Sequence, residues 1–261
     1  MKLDGSLLSV KETHLKTVWG RPVKIECESD ERIIYMSATP DFASVDENGV
    51  VTPLRTGRAY IIAQIEGNCD SARKIEIEIS SEIKNINGVT YINGILMANK
   101  TYSLPKDFGA VNDEAEAALQ RMIDDAKKVG VHIFNFSGFR DYENQYGVYW
   151  TAYDKFGEEY AERSIARPGF SEHQTGLAFD INCIDEEFED TAEGIWCRDN
   201  AHKYGFILRY PKGKPPITGY KYEPWHFRYV GKEAESIYRS GLTLEEYFRV
   251  DSKYLEPSIK R

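Results

Sequence analysis

The chain has 261 residues, a formal net charge of -9 from 33 Lys and Arg against 42 Asp and Glu, and ordinary shares of hydrophobic (41%) and charged (29%) residues. At roughly 150 residues per domain that length gives one to two domains, enough to bury a core without a disulfide scaffold, and the composition excludes disordered and collagen-like chains. The acidic balance repels phosphate backbones and argues against nucleic acid as a partner, and no apolar run approaches the ~20 residues of a membrane span.

The first residues, Met1-Lys2-Leu3-Asp4-Gly5-Ser6-Leu7-Leu8, carry charge but no apolar segment, so they do not read as a signal peptide. None of the four cysteines (Cys27, Cys69, Cys183, Cys197) stands in a Cys-x-x-Cys pair, which argues against a cysteine zinc site. Cys27 and Cys183 fall on the apolar phase of predicted strands and are expected to be buried free thiols. The 17 Tyr, 12 Phe and 4 Trp form an aromatic excess that suits a core as well as a ligand site.

In chain order, Val23–Glu28 alternates apolar and charged residues and predicts a half-buried strand. Asn48-Gly49 between Val45 and Val50-Val51 predicts a hairpin. Tyr60–Ile65 and Lys74–Ile79 predict two more strands joined through Gly67-Asn68, and strands at this spacing imply a small β-sandwich. His14 is isolated and reads as a surface residue. On Ala43-Ser44-Val45-Asp46, Asn48-Gly49-Val50-Val51-Thr52 and Thr56-Gly57-Arg58-Ala59, this segment resembles a class 2 bacterial Ig-like domain, departing from the usual pattern at Tyr35-Met36-Ser37, where a Trp often stands. The resemblance implies an Ig-like module over 1–82, of a kind that serves as a spacer or surface-binding part of exported proteins and can contact the cell wall.

Ser80–Asn85 reads as a connector, after which the pattern becomes mixed. Asn112 caps a predicted helix whose apolar residues Ala115, Ala118, Leu119, Met122, Ile123, Ala126 and Val129 recur at helical spacing, with Gly130 as its stop. Then come a strand over Val131–Ser137, a helix over Glu143–Lys155, a strand over Gly176–Asn182 and an amphipathic helix over Ala192–Tyr204. Thr243-Leu244-Glu245-Glu246 is a capping box that opens a last helix. There is no internal repeat, so 83–261 is one α+β domain.

A lone histidine is ordinarily structural, and His132 and His202 receive that reading. His173 and His226 stand in polar clusters that propensity does not explain. In Ser171-Glu172-His173-Gln174-Thr175-Gly176-Leu177-Ala178-Phe179-Asp180, a turn at Gly176 leads into a strand with Leu177, Phe179 and Ile181 on one face and Ala178 and Asp180 on the other. An Asp inside an apolar strand is costly unless a cation meets it, and a metal ion held jointly with His173 would do so. In Tyr222-Glu223-Pro224-Trp225-His226, His226 supplies a third tetrahedral ligand, and Glu223 is placed to take a proton from the water in the fourth position. There is no His-Glu-x-x-His, so the zincin arrangement is excluded.

Ser-x-His-x-x-Gly-x-Ala-x-Asp over 171–180 followed by Glu-x-x-His over 223–226 is similar to the peptidase M15 family, in its VanY-like branch of D-alanyl-D-alanine carboxypeptidases. The likeness runs through Ser137-Gly138-Phe139-Arg140, Gln145, Tyr204–Pro211 and Leu244–Tyr247, and covers residues 85 to 250. It implies an α+β fold of the LAS type, Zn2+ on His173, Asp180 and His226, and Glu223 as general base. It also implies a substrate-facing Arg140, for a carboxylate or an oxyanion, where a structural salt bridge is the plainer reading. Gln145 and Ser171 match pocket positions, and Trp225 and Phe170 are candidates for aromatic walls, which core packing explains equally well for Trp225. The family usually has Ser after this Arg; here it is Asp141, a carboxylate expected to neutralise Arg140 in part.

The resemblance implies a substrate that is a peptidoglycan stem peptide ending in D-Ala. Family prevalence favours D,D-carboxypeptidase activity, with L,D-carboxypeptidase action on the tetrapeptide stem as the alternative. L-alanyl-D-glutamate endopeptidases of phage are a third branch, and a non-catalytic wall-peptide-binding protein is the rival from another class. Such an enzyme works outside the membrane, so the expectation is an extracytoplasmic, wall-associated protein whose signal or anchor segment is missing from this sequence.

Overall fold

The structure is a computed structural model that describes residues 8–255. The chain divides into two compact units between Ile83 and Lys84. The first unit is all β, with strands β1 (Ser9–Val10), β2 (His14–Val18), β3 (Val23–Lys24), β4 (Cys27–Glu28), β5 (Ile33–Ser37), β6 (Ala43–Val45), β7 (Val50–Pro53), β8 (Gly57–Ile65) and β9 (Asn68–Ser80). They form a four-stranded sheet, β2-β9-β8-β5, a three-stranded sheet, β3-β7-β6, and the pair β1-β4. Strict alternation puts Ala59, Ile61, Ala63 and Ile65 of β8 and Ile75, Ile77 and Ile79 of β9 into a core with Ile25, Ala43 and Val51. The Asn48-Gly49 hairpin is present, pairing Val45 with Val51, and His14 is exposed on β2. The strand predicted over Val23–Glu28 is instead two short pieces: β3 pairs with β7, β4 pairs with β1, and Ile25 between them points into the core.

The second unit opens on a meander, β10 (Ile83–Ile86), β11 (Val89–Ile92) and β12 (Ile95–Met97), which sequence reasoning did not find. Its two turns are Asn87-Gly88 and Asn93-Gly94, with φ of 52° and 84° in the first and 51° and 80° in the second. Positive φ at both central residues matches the right-handed twist of the flanking strands. Helix α1 (Asp113–Lys128) starts where Asn112 accepts a hydrogen bond from Ala115 N at 2.9 Å, with Asp113, Glu114 and Glu116 in its first turn and Lys127 and Lys128 in its last. Val129 lies just beyond the helix and is exposed. There follow β13 (Asn135–Ser137), α2 (Tyr142–Phe156), α3 (Glu158–Ser164), β14 (Ala178–Ile181), α4 (Ala192–Asn200), β15 (Phe206–Tyr210), α5 (Pro215–Thr218), β16 (Glu223–Tyr229), α6 (Ala234–Ser240) and α7 (Leu244–Phe248). The strand predicted over Val131–Ser137 shrinks to β13, an edge strand with Phe134 and Phe136 half exposed. The helix predicted over Ala192–Tyr204 is α4 followed by a 3-10 turn over Ala201–Tyr204. The Thr243–Glu246 capping box is formed as expected.

The central sheet is antiparallel, in the order β13-β14-β16-β15. One face carries Phe179, Ile181, Phe206 and Phe227 and is covered by Ala115, Ala118, Leu119, Met122 and Ala126 of α1. Ile207 on the other face joins a second cluster with Ile92, Met97, Ala234, Ile237, Leu244, Tyr247 and Phe248. Polar residues occupy the rest of that second face, and the site lies there. The four cysteines are free; Cys197 is the buried one, while Cys27 and Cys183 are only half-buried and Cys183 lies past the end of β14. No helix of the described residues is long and apolar enough to cross a membrane.

Candidate active site

Ser171 opens a 3-10 turn over Glu172–Thr175, its hydroxyl accepting from His173 N, and Gly176 closes the turn with a φ of 70°. A Cβ at Gly176 would lie 2.1 Å from the Ala110 carbonyl oxygen, so only glycine fits between the turn and the chain that leads into α1. The turn projects His173 over the sheet. Asp180 of β14 and His226 of β16 are direct partners in the ladder, as are Ala178 and Arg228, so both pairs share one face while Phe179 and Phe227 pair on the α1 face. Asp180 and Ala178 thus lie opposite Leu177, Phe179 and Ile181, as the alternation predicts.

His173 Nδ1 donates to Gly138 O at 2.8 Å, leaving Nε2 3.3 Å from Asp180 Oδ2, and Asp180 Oδ1 lies 3.2 Å from His226 Nδ1. One donor atom from each of the three residues falls within 4.8 Å of the others, and all three side chains are buried. Two tetrahedral zinc ligands at 2.0–2.1 Å stand about 3.3 Å apart, so the spacing suits zinc. Asp180 Oδ1 is buried with no hydrogen-bond partner, an acceptor that a cation would satisfy. Burial pushes the Asp180 carboxyl up, and His173 and His226 overcome it, holding the group far below the usual carboxylate range.

Glu223 would face away from His226 in a regular strand. The pairs Leu208–Phe227 and Tyr210–Glu223 show two extra residues in β16 between them, a bulge that brings Glu223 Oε2 to 3.6 Å from His226 Nδ1. Burial, reinforced by Asp180, raises the Glu223 carboxyl to about 7 against the opposing pull of His226, Lys221 and Arg140. A group near 7 suits a general base at neutral pH.

Arg140 follows β13 and enters the same cavity. Its Nη1 donates to Gln145 Oε1 at 2.9 Å and its Nη2 to Ser137 Oγ at 3.1 Å, with Asp180 Oδ2 3.9 Å away. Gln145 in turn donates to Ala166 O at 2.7 Å, so its amide orients Arg140 and is itself fixed at both ends. Asp141 does not neutralise Arg140 as expected: its carboxylate caps α2, accepting from Asn144 N at 2.8 Å. The charges that act on Arg140 are those of Asp180 and Glu223.

His173, Asp180, His226, Glu223, Arg140, Gln145, Ser171 and Trp225 all line one cavity of about 190 Å³. Trp225 lines the cavity and is also packed in the core beneath α1. Phe170 is not on the wall and instead packs edge-on against Tyr254 at 5.1 Å; Tyr160, Tyr210 and Tyr220 supply the rings expected of it. His132 is exposed, and His202 stacks on Tyr238 at 3.7 Å, away from the site. Sequence reasoning missed Glu172, Arg209, Arg228 and Glu245 as a group. All four are buried and interlocked, with Glu172 Oε1 accepting from Arg209 Nε at 2.8 Å and Arg228 Nη1 at 2.7 Å, and Arg209 gripping Glu245 through two nitrogens. The signal was present: Arg209 and Arg228 stand in apolar strands, as Asp180 does.

A cavity with a buried His-Asp-His trio, a carboxylate near neutrality and a guanidinium defines a metal-dependent hydrolase. The comparisons specify it. Residues 109–232 match the family VanY: D-alanyl-D-alanine carboxypeptidase. The chain is 40% identical over 210 residues to the putative carboxypeptidase YodJ of Bacillus subtilis, covering 69% of this chain and 77% of that one. It is 41% identical over 139 residues to a D-alanyl-D-alanine carboxypeptidase of Enterococcus faecium, covering 52% of this chain and 43% of that one. Among solved structures, the LdcB LD-carboxypeptidase matches with a TM-score of 0.61 and 42% identity over 67% of this chain and 98% of that one. The vancomycin resistance D,D-pentapeptidase VanY, solved with Zn(II), matches with a TM-score of 0.50 and 35% identity over 58% of this chain and 96% of that one. The chain belongs to the VanY family of carboxypeptidases, within peptidase M15.

Proposed function

We propose that this protein removes the C-terminal D-Ala of peptidoglycan stem peptides, with His173, Asp180 and His226 as zinc ligands, Glu223 as general base and Arg140 as the substrate-facing cation. The observation that carries the reading is the meeting of all five in one cavity on one face of the central sheet. Zinc held there supplies Lewis-acid polarisation of the scissile carbonyl and activation of water. Glu223 Oε2 accepts the proton of the attacking water and returns it to the departing amine. Arg140, with Gln145 and Ser137 holding its guanidinium, presents its remaining donors to the terminal carboxylate or the developing oxyanion. Ser171 and Trp225 complete the wall.

A second reading, L,D-carboxypeptidase action on the tetrapeptide stem, is favoured by one observation. LdcB and the pneumococcal L,D-carboxypeptidase DacB match at TM-scores of 0.61 and 0.62 and at 42% and 41% identity, against 0.50 and 35% for VanY. D-Ala release from tri-, tetra- and pentapeptide stems by the zinc-loaded protein separates the two readings. Release from the pentapeptide alone supports D,D activity, and release from the tetrapeptide supports L,D. No release from any stem removes the enzyme reading and leaves a wall-peptide-binding protein. Glu223→Gln should retain zinc and lose turnover; retained turnover puts the base elsewhere. The N-terminal unit, taken as an Ig-like module over 1–82, is read as a wall-contacting spacer that accompanies the catalytic domain over 83–261, and the proposal includes action outside the membrane. Cosedimentation of that module with purified sacculi tests this, and a module that stays in the supernatant refutes it.

A further inference from the structure

Glu172 belongs to the cavity wall between Ser171 and His173, and one of its carboxylate oxygens is engaged in a closed set of charges. Its side chain is fully buried, and Oε1 accepts from both Arg209 and Arg228. Arg209 is matched by Glu245, which also accepts from Asn99 Nδ2 at 3.0 Å, and Arg228 spends its remaining donors on Leu96 O at 2.6 Å and Tyr229 O at 3.1 Å. Two carboxylates and two guanidiniums balance to zero net charge. Oε1 therefore accounts for the whole structural use of Glu172.

Oε2 is left over. It is buried without a hydrogen-bond partner, and so is Nε2 of His226, and the two atoms face each other 3.5 Å apart. The other nitrogen of that ring, Nδ1, faces Asp180 Oδ1. Two orphaned buried polar atoms aimed at one another are costly unless one donates to the other. Only a proton on Nε2 satisfies both and leaves the Nδ1 lone pair free.

We propose that Glu172 is a positioning residue for the metal site, accepting the Nε2 proton of His226 and thereby fixing that ring as an Nδ1 ligand. A carboxylate behind a metal-bound imidazole sets its tautomer and orientation and raises its basicity. Arg209 and Arg228 hold the carboxylate in place, and Glu245 carries the support out to α7, so the last helix belongs to the metal site without touching it. His173 has the opposite arrangement, with Nδ1 donating to Gly138 O and Nε2 facing Asp180. The two histidines are thus locked in opposite tautomers by different acceptors.

The inference rests on the zinc-site reading above. Its test is the zinc dissociation constant of Glu172→Gln, measured by chelator competition with the full chain. A 10- to 100-fold weaker affinity with the far-UV circular dichroism retained is expected; wild-type affinity in the folded variant overturns the proposal. Because the variant also removes the counter-charge of two arginines, a second measurement uses the wild-type protein. Long-range 1H–15N correlation spectra of the zinc-loaded chain should show His226 protonated at Nε2 and His173 protonated at Nδ1. A proton on His226 Nδ1 overturns the proposal while leaving the zinc site intact. A wild-type chain that binds no zinc removes the site reading itself, and the role of Glu172 with it.

Discussion

Asp141 occupies the place where a serine is usual in the family, and the structure gives it a task that can be measured. It caps α2, the helix that carries Gln145, by accepting from Asn144 N at 2.8 Å. Replacing it with alanine leaves that first-turn amide without its acceptor, a loss of about 1 kcal/mol for a typical N-cap. The charge adds little to this at an exposed position. In a unit of this size that lowers the melting temperature by roughly 2–4 °C. Asp141→Asn keeps the acceptor and removes the charge, so it should melt with the wild type. Thermal unfolding followed by circular dichroism reads the first effect, and steady-state hydrolysis of a stem peptide reads the second. KM should be unchanged in both variants, because Arg140 is held by Gln145 and Ser137 and feels Asp180 and Glu223 instead. If both variants shifted KM with no change in melting, Asp141 would be acting on Arg140 and the capping argument would be wrong.

Arg140→Lys cannot reproduce the donations to Gln145 and Ser137, and kcat should fall about 10²-fold or more with zinc content unchanged by metal analysis. Chelation should abolish turnover and lower the melting temperature, with zinc restoring both; at a thousandfold excess over Kd the metal contributes about 4 kcal/mol. Gly176→Ala should melt lower and lose zinc together, since its Cβ would meet the Ala110 carbonyl oxygen and the shift is transmitted to His173. Phe179→Ala, beneath Asp180 in the α1 core, should cost about 3–5 kcal/mol by denaturant unfolding. A cost below 1 kcal/mol would place that ring outside the cooperative core.

The His173-Asp180-His226 cluster was legible because it obeys two local rules at once: a motif with fixed spacing, and an acid in a strand that otherwise reads apolar. The same second rule applied to Arg209 and Arg228 points to the ion cluster, but their partners Glu172 and Glu245 come from distant turns and helices that no local pattern connects. The meander was not found, although its two Asn-Gly pairs carried the hairpin signal. Other features depended on tertiary context. Val131–Phe134 has strand composition but is held by Asn182, just past β14, in place of a continued ladder, and Val23–Glu28 is divided between two sheets with Ile25 as the pivot. Glu223 was expected beside His226 from their spacing, although a regular strand would set residues three apart on opposite faces; the offset of the ladder brings the two together. The cap at Asp141 is a local signal, an acid just before the predicted helix, and its role follows from that position and not from the charge of its neighbour Arg140.

Because Asp180 and His226 are opposite partners in neighbouring strands, the separation between two of the proposed ligands is a property of the backbone ladder. Sliding β16 by one residue would send His226 to the α1 side and bring Trp225 or Phe227 into its place. The proposed coordination set is therefore complete only when the sheet is correctly paired. A metal bound there would lock strand registration, and metal content would become a direct assay of whether the central strands have found their proper alignment during refolding.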